Sequence, residues 1–233
     1  MFSTIIKHPL AINSRAPVVF IQYLAALAVA QGVQTYDTTE GGNHIKSAYK
    51  AMPIKLKWPN DIYALDPAKR GTNLDDPSAY TKIGGILVNS SYNGGDYTLV
   101  VGIGLNTSNV APTTSLNAVL NAMKGGASLP PFSLEKLLAR ILTTFEHLYD
   151  KFCMSGFAGE LERLYYSHWL HSGQIVTLEA EGGVRARIEG ITTDWGFLLA
   201  EEVREGRGTG KMFALQTDSN SFDFFKGLLK RKI

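Results

Sequence analysis

The sequence predicts an α+β domain over residues 1–171 followed by a small all-β domain over 172–233, and three observations carry that reading. Apolar, β-prone runs recur at Ile54–Trp58, Lys82–Asn89 and Tyr97–Gly102. Helical signals flank them, at Ala16–Gly32 and again after Ser133. From Ser172 the rhythm changes to short strands separated by glycine-rich turns, as in a small barrel.

Taken in order, the chain opens in an apolar run, Phe2-Ser3-Thr4-Ile5-Ile6, with no preceding turn or cap. The expectation is a strand whose upstream neighbours lie outside this sequence. In Ala16–Gly32, Pro17 suits a first helical turn and Gly32 the position just past the end. Val18, Ile21, Leu24, Ala25, Ala28 and Val29 give that helix one apolar face. Thr38–Lys50 is polar and reads as a surface loop, and Asp66–Thr81 as an insertion rich in Asp, Pro and Gly. Asn93-Gly94-Gly95-Asp96 is a hairpin turn signal between two strands. After a loop from Thr107 to Pro131, Ser133 can cap a helix running to about Met154, and Phe157–Trp169 gives another. Strands are expected at Ile175–Leu178, Val184–Ile191, Gly196–Ala200 and Met212–Gln216, and the basic tail Lys226–Lys232 reads as a solvated helix end.

Composition narrows the function classes. A hydrophobic fraction of 45% and a charged fraction of 19% belong to an ordinary globular protein, and a net charge of +2 argues against nucleic-acid binding. The single cysteine, Cys153, excludes an internal disulfide and a thiolate zinc site. Lys7, His8 and Pro9 interrupt any signal-peptide pattern, and Val18–Val33 is too short to span a bilayer comfortably. The expectation is a cytoplasmic protein without membrane contact, which makes the sequons at Asn89 and Asn106 chance matches.

Three segments are able to carry chemistry. In Lys57-Trp58-Pro59-Asn60-Asp61 a strand ends in proline, followed by an amide and a carboxylate; this is either a polar turn or a nucleotide site. In Lys82-Ile83-Gly84-Gly85-Ile86-Leu87-Val88 a lysine opens a strand weakened by two glycines, which suits a phosphate or carboxylate lying across the backbone, or else a bulge. Val101-Gly102-Ile103-Gly104-Leu105-Asn106 carries a Gly-x-Gly with no third glycine or helix, so it is no dinucleotide fingerprint.

In that order, the three segments resemble the biotin protein ligase family, called holocarboxylase synthetase in eukaryotes. The resemblance extends into Tyr166-Ser167-His168-Trp169-Leu170-His171-Ser172-Gly173-Gln174 and covers nearly the whole chain. It implies a class II synthetase-like mixed sheet with helices, followed by an SH3-like barrel. It also implies an enzyme that uses ATP to convert biotin to biotinyl-5′-AMP and passes the biotinyl group to a lysine of a carboxylase's biotin carrier domain. On this resemblance Lys82, Lys57 and Asp61 are the catalytic candidates. Lys82 and Lys57 would screen the approach of a carboxylate to a polyanion. Asn60 and Asp61 would organise the nucleotide, Asp61 holding magnesium or a ribose hydroxyl. Gly84, Gly85 and Ile86 would line the biotin pocket, Gly102 and Gly104 would admit the ligand closely, and Asn106 would face the nucleotide. Mg²⁺ is expected to arrive with ATP, since no protein-only metal cage is visible.

The family's Gly-Arg-Gly-Arg type loop has no counterpart here: Gly206-Arg207-Gly208-Thr209-Gly210-Lys211 follows in the wrong domain and reads as a hairpin turn. It is not a phosphate-binding loop of the Walker type either, because Glu205 and Met212 replace the required glycine and hydroxyl residue. The expectation is therefore weak or absent ligase activity for this chain alone. Two rival readings stay open, a non-catalytic module that retains nucleotide or carrier-domain affinity, and a related lipoate or octanoyl transferase. His168 and His171 lack a third metal ligand nearby, and Cys153 reads as a helix-packing residue. With no winged helix ahead of the domain in this sequence, a DNA-binding role is not expected.

Overall fold

The computed structural model describes residues 1–38, 47–69, 76–109, 113–123, 128–216, 220–223 and 227–231. The chain divides into two compact units, Met1–His168 and Trp169–Ile233. Together they contain two sheets and, among the described residues, four α-helices.

The first unit is built on a five-stranded antiparallel sheet of strands β1 (Phe2–Pro9), β2 (Ile54–Lys57), β3 (Asp61–Leu65), β4 (Tyr80–Asn93) and β5 (Asp96–Leu105). Their order is β1-β5-β4-β3-β2. The expected hairpin is present: Asn93 faces Asp96, and Gly94 and Gly95 take φ of 64° and 106°, which a two-residue turn requires. Inward-facing Leu99, Val101 and Ile103 on β5, with Ile54 and Leu56 on β2, are buried at alternate positions.

Helix α1 (Ile21–Gln34) lies against β2, β4 and β5. It starts later than Pro17 predicts, because Pro17 is extended and Val18–Phe20 forms a 3-10 turn. The expected single apolar face is nearly all-round burial, broken only at Gln22, Gln31 and Gln34. Gly32 is interior to the helix, not past its end; a Cβ there would meet Ile141 of helix α3 (Leu134–Ser155) at 3.0 Å. The missing side chain lets the two helices approach. Ser133 caps α3 as expected, its Oγ accepting from Lys136 N–H at 3.3 Å. Helix α2 (Leu116–Ala122), capped by Ser115, falls within the stretch expected to be loop. At seven residues it is too short to show a periodic signal. Helix α4 (Glu160–His168) closes the unit.

The second unit is a six-stranded sheet of strands β6 (Ile175–Leu178), β7 (Val184–Ile191), β8 (Leu198–Arg204), β9 (Arg207–Leu215), β10 (Asn220–Asp223) and β11 (Leu228–Arg231). Their order is β10-β11-β6-β7-β8-β9. Val176, Leu178, Ala186, Ile188, Leu198, Ala200, Phe213 and Leu215 form its apolar face. Two expectations need correction. The segment Gly206–Lys211 is a turn only at Glu205–Gly206; Arg207 already faces Arg204 as strand. The basic tail is not a helix end. Leu228–Arg231 pairs antiparallel with β10 and parallel with β6, because Leu229 is an apolar residue that the sheet buries. Lys226 and Lys232 lie outside the described residues, as do 39–46 of the polar loop and 70–75 of the insertion. Among the described residues no helix is long and apolar enough to cross a membrane.

Candidate functional site

Register brings the three motif segments together on one face of the first sheet. Lys57 pairs with Asp61 across β2 and β3, Asp61 with Gly85 across β3 and β4, and Gly85 with Gly104 across β4 and β5. These four residues are therefore lateral neighbours on the same face. The next row on that face holds Leu87, Gly102 and Ser3. One end of the first row is charged, and Gly85 and Gly104 beside it carry no side chain.

Lys82 joins this row through a bulge. Tyr63 pairs with Lys82 and Ile62 with Gly84, so Ile83 is an extra residue in β4. Ile83 and Ile86, three apart, are both buried, whereas Lys82 and Leu87 are exposed. The break in the two-residue period turns Lys82 toward Asp61, with Nζ 2.5 Å from Oδ1. Lys57 Nζ lies 3.6 Å from the other carboxylate oxygen. Lys57 and Asp61 keep only 14% and 18% of side-chain exposure, against 51% for Lys82. Two ammonium groups on one carboxylate leave this end net positive, with Lys82 able to swing to an incoming anion. Tyr63, two residues along β3 from Asp61, has its phenol pushed up to about 12 by burial and, secondarily, by Asp61, so it stays protonated at neutral pH.

Asn60 holds the ladder on the far side of the bulge from Lys82. Its Nδ2 donates to Ile86 O at 2.8 Å, and its own carbonyl accepts from Ile86 N–H at 2.9 Å. The Ile86 side chain is inward and 3% exposed. Gly84 differs from its neighbour: a Cβ there would meet Gly104 O at 2.5 Å, whereas one on Gly102 or Gly104 would find nothing nearer than 3.7 or 3.9 Å. None of the four glycines has positive φ, so it is space that they supply. The Asn106 amide is engaged in its own loop, donating to Thr114 O at 2.8 Å and accepting from Asn109 N–H at 3.0 Å. Trp58 belongs to the core, 1% exposed, with Nε1 donating to Tyr23 Oη at 3.0 Å. The Trp58–Pro59 peptide is cis.

The remaining candidates stay structural. His168 Nδ1 lies 3.4 Å from Ile54 O, and burial lowers its pKa. His171 Nδ1 lies 3.2 Å from Gln174 Oε1. Burial raises the Cys153 thiol above its ordinary value, as befits an unreactive packing residue. Among the described residues no three His, Cys, Asp or Glu side chains cluster as a metal site. Asp61, held between two lysines, does not fit a divalent cation carried by the protein alone.

The chain is similar to known proteins. Residues 1–106 match the family model described as "Biotin/lipoate A/B protein ligase family". The chain is 41% identical to the biotin–protein ligase of Schizosaccharomyces pombe over 99% of its own length and 35% of that protein. It is 37% identical to biotin–protein ligase 2 of Arabidopsis thaliana, over 91% of this chain and 57% of the relative. Identity to the human biotin–protein ligase is 32%, over 98% of this chain and 28% of the relative. The chain thus spans between 28% and 57% of these relatives. In structure it is similar to the apo biotin protein ligase of Aquifex aeolicus, with TM-score 0.59, 19% identity, and coverage of 93% of this chain and 78% of that one. The same protein solved in complex with biotin and ATP gives TM-score 0.53 at 18% identity, covering 99% of this chain and 79% of that chain. At these identities the likeness is one of fold.

Proposed function

We propose, for a chain whose residues 1–106 match the biotin/lipoate A/B protein ligase family model, that its first unit provides the adenylate-binding surface of a biotin–protein ligase. The observation that carries this reading is the lateral row Lys57–Asp61–Gly85–Gly104, with Lys82 folded onto Asp61. A cationic end beside a floor without side chains suits an extended ligand with a phosphate at one end and an uncharged body.

In the reaction, the biotin carboxylate attacks the α-phosphorus of ATP and pyrophosphate leaves. The amine of an acceptor lysine on a biotin carrier domain then attacks the acyl carbon of biotinyl-5′-AMP. AMP leaves with the bond electrons, and the amine loses its proton. Lys82 neutralises charge at the phosphate when it turns away from Asp61, and Lys57 keeps Asp61 paired while it does so. Gly85, Gly102 and Gly104 let the ligand lie on backbone, and Asn60 pins β4 at Ile86, beside Gly85. Gly84 and Ile86 act through the sheet. Mg²⁺ carried by the nucleotide would add charge neutralisation at the phosphates, with Lys82 supplying the protein's own positive charge there. Biotin is favoured over lipoate because the curated relatives are biotin–protein ligases. The second unit is read as an SH3-like barrel and the protein as cytoplasmic.

The test is a calorimetric titration of the 233-residue chain with biotinyl-5′-AMP, repeated with Lys82→Ala. Binding that weakens in the variant supports the assignment. A folded chain that takes up no ligand, or a variant that binds equally well, overturns it.

A further inference from the structure

We propose that Asn117, which lies on α2 outside the lateral row, is a positioning residue for the Lys82 end of the site; this deepens the function proposed above and rests on it.

The chain leaves β5 at Asn106, whose N–H donates to Ile83 O at 2.7 Å, one residue from Lys82. The limb that follows, 107–109, is therefore the backbone continuation of the glycine-bearing strand and is attached to the Lys82 strand at its root. Asn106 braces it from one side. Besides the two bonds already described, its Nδ2 lies 3.2 Å from Thr113 Oγ1, so it ties the outgoing limb to the returning one. Asn117 braces it from the other side and ties it to a second segment. Its N–H donates to Thr107 O at 3.0 Å, its Nδ2 to Ser108 Oγ at 3.1 Å, and its Oδ1 accepts from Phe132 N–H at 2.8 Å. Phe132 directly precedes Ser133, the cap of α3. Asn117 thus fastens the limb to α2 and to the start of α3, and both helices are anchored by buried residues such as Leu116, Leu120 and Leu137.

The donor and acceptor inventory separates this role from generic stability. Aspartate at 117 still accepts from Phe132 N–H, and its second oxygen accepts from the Ser108 hydroxyl, whose proton rotates freely. Its negative charge also sits in the first turn of α2, where the helix dipole favours it. Leucine, of similar shape, abolishes both side-chain bonds. A site held by a loosened support loses ligand affinity long before the fold is lost.

The experiment measures affinity for biotinyl-5′-AMP in the 233-residue chain, in Asn117→Leu and in Asn117→Asp, alongside thermal melts and hydrogen exchange of the Asn106 amide. Asn117→Leu is expected to bind about tenfold more weakly, equivalent to about 1.4 kcal/mol, while remaining folded. Asn117→Asp is expected to stay within about threefold, a difference of about 0.6 kcal/mol. Unchanged affinity in the leucine variant, or equal loss in both variants, overturns the proposal. If the unsubstituted chain binds no biotinyl-5′-AMP, the function reading has failed. Exchange of the Asn106 amide then decides the brace separately: faster exchange in Asn117→Leu retains it, and an unchanged rate removes it.

Discussion

The glycines of the site fall into two physical kinds, and alanine substitutions at Gly84 and Gly102 separate them. At Gly84 a Cβ would sit 2.5 Å from Gly104 O, 3.2 Å from Leu105 Cδ1 and 3.4 Å from Leu105 Cα. Two of these atoms are backbone in a continuous ladder, so the neighbour cannot rotate away. Overpacking of this kind costs about 1–3 kcal/mol, offset by about 0.4–1 kcal/mol from a stiffer unfolded chain. For a folding unit of about 150–250 residues each kcal/mol moves the melting point by about 2–4 °C. Gly84→Ala should therefore melt several degrees lower. At Gly102 the added carbon meets only Leu87 O, at 3.7 Å, which is ordinary contact. Gly102→Ala should melt at or slightly above the parent temperature, yet raise a methyl group from the floor of the proposed site. Differential scanning fluorimetry with and without biotinyl-5′-AMP reads both effects at once. The expected pattern is a lower ligand-free melting point for Gly84→Ala and a lost ligand-induced shift for Gly102→Ala. If Gly102→Ala keeps the full shift, the open face is not where the ligand lies; if Gly84→Ala melts unchanged, the packing argument fails.

Other perturbations follow from the same contacts. Lys82→Ala should scarcely change stability, since a half-exposed ion pair contributes about 0–1 kcal/mol, but should weaken biotinyl-5′-AMP binding by about 10- to 150-fold through loss of a charge-assisted bond; equal losses in both would reject its role at the ligand. Gly156→Ala should lower the melting point of the first unit by several degrees, because residue 156 has φ of 73° and its Cβ would meet Arg15 O at 2.6 Å, a combined penalty of about 2–5 kcal/mol; a melt within error of the parent would refute it. His8 is fully buried, with Nε2 donating to Ala16 O at 2.8 Å and Nδ1 accepting from Tyr149 Oη at 2.9 Å. Burial lowers its pKa from 6.5, partly opposed by the Ala16 bond. The unfolded chain then binds the proton more readily, so the stability from neutral His8 is complete above 6.5 and declines as pH falls below it. Urea titrations from about pH 7.5 to about pH 5.5 should show that decline, flattened in His8→Phe; identical slopes would assign it to other groups such as His168.

Much of the frame was legible because it rests on local chemistry. Asn93-Gly94-Gly95-Asp96 fixes a hairpin, and Ser133 marks the start of α3 through a side-chain bond that only a small polar residue makes. What escaped depends on distant partners. Gly32 looks like a helix stop until Ile141 is seen against it, and α2 is stabilised by burial of Leu116 and Leu120 more than by its seven-residue pattern. Leu228-Leu229 looked like part of a basic tail because the strand that receives it, β6, lies some fifty residues earlier and pairs in parallel.

The site illustrates the same division at finer scale. Lys57, Asp61, Lys82, Gly85 and Gly104 could be picked out as residue types, but a strict alternation along β4 would set Lys82, Gly84 and Ile86 on one face. The extra residue at Ile83 changes that assignment: Lys82 keeps the company of Gly85 and Leu87, Ile86 turns into the core, and Gly84 becomes a packing residue. On the far side of the bulge Asn60 pins Ile86, its amide donating to the Ile86 carbonyl and its own carbonyl accepting from the Ile86 N–H. Asparagine between a proline and an aspartate reads locally as turn chemistry, and its actual partner lies twenty-six residues on. Asn60 therefore continues the β3–β4 register past the bulge, beside the rung that sets Gly85 opposite Asp61, and so fixes the row that Lys82 joins.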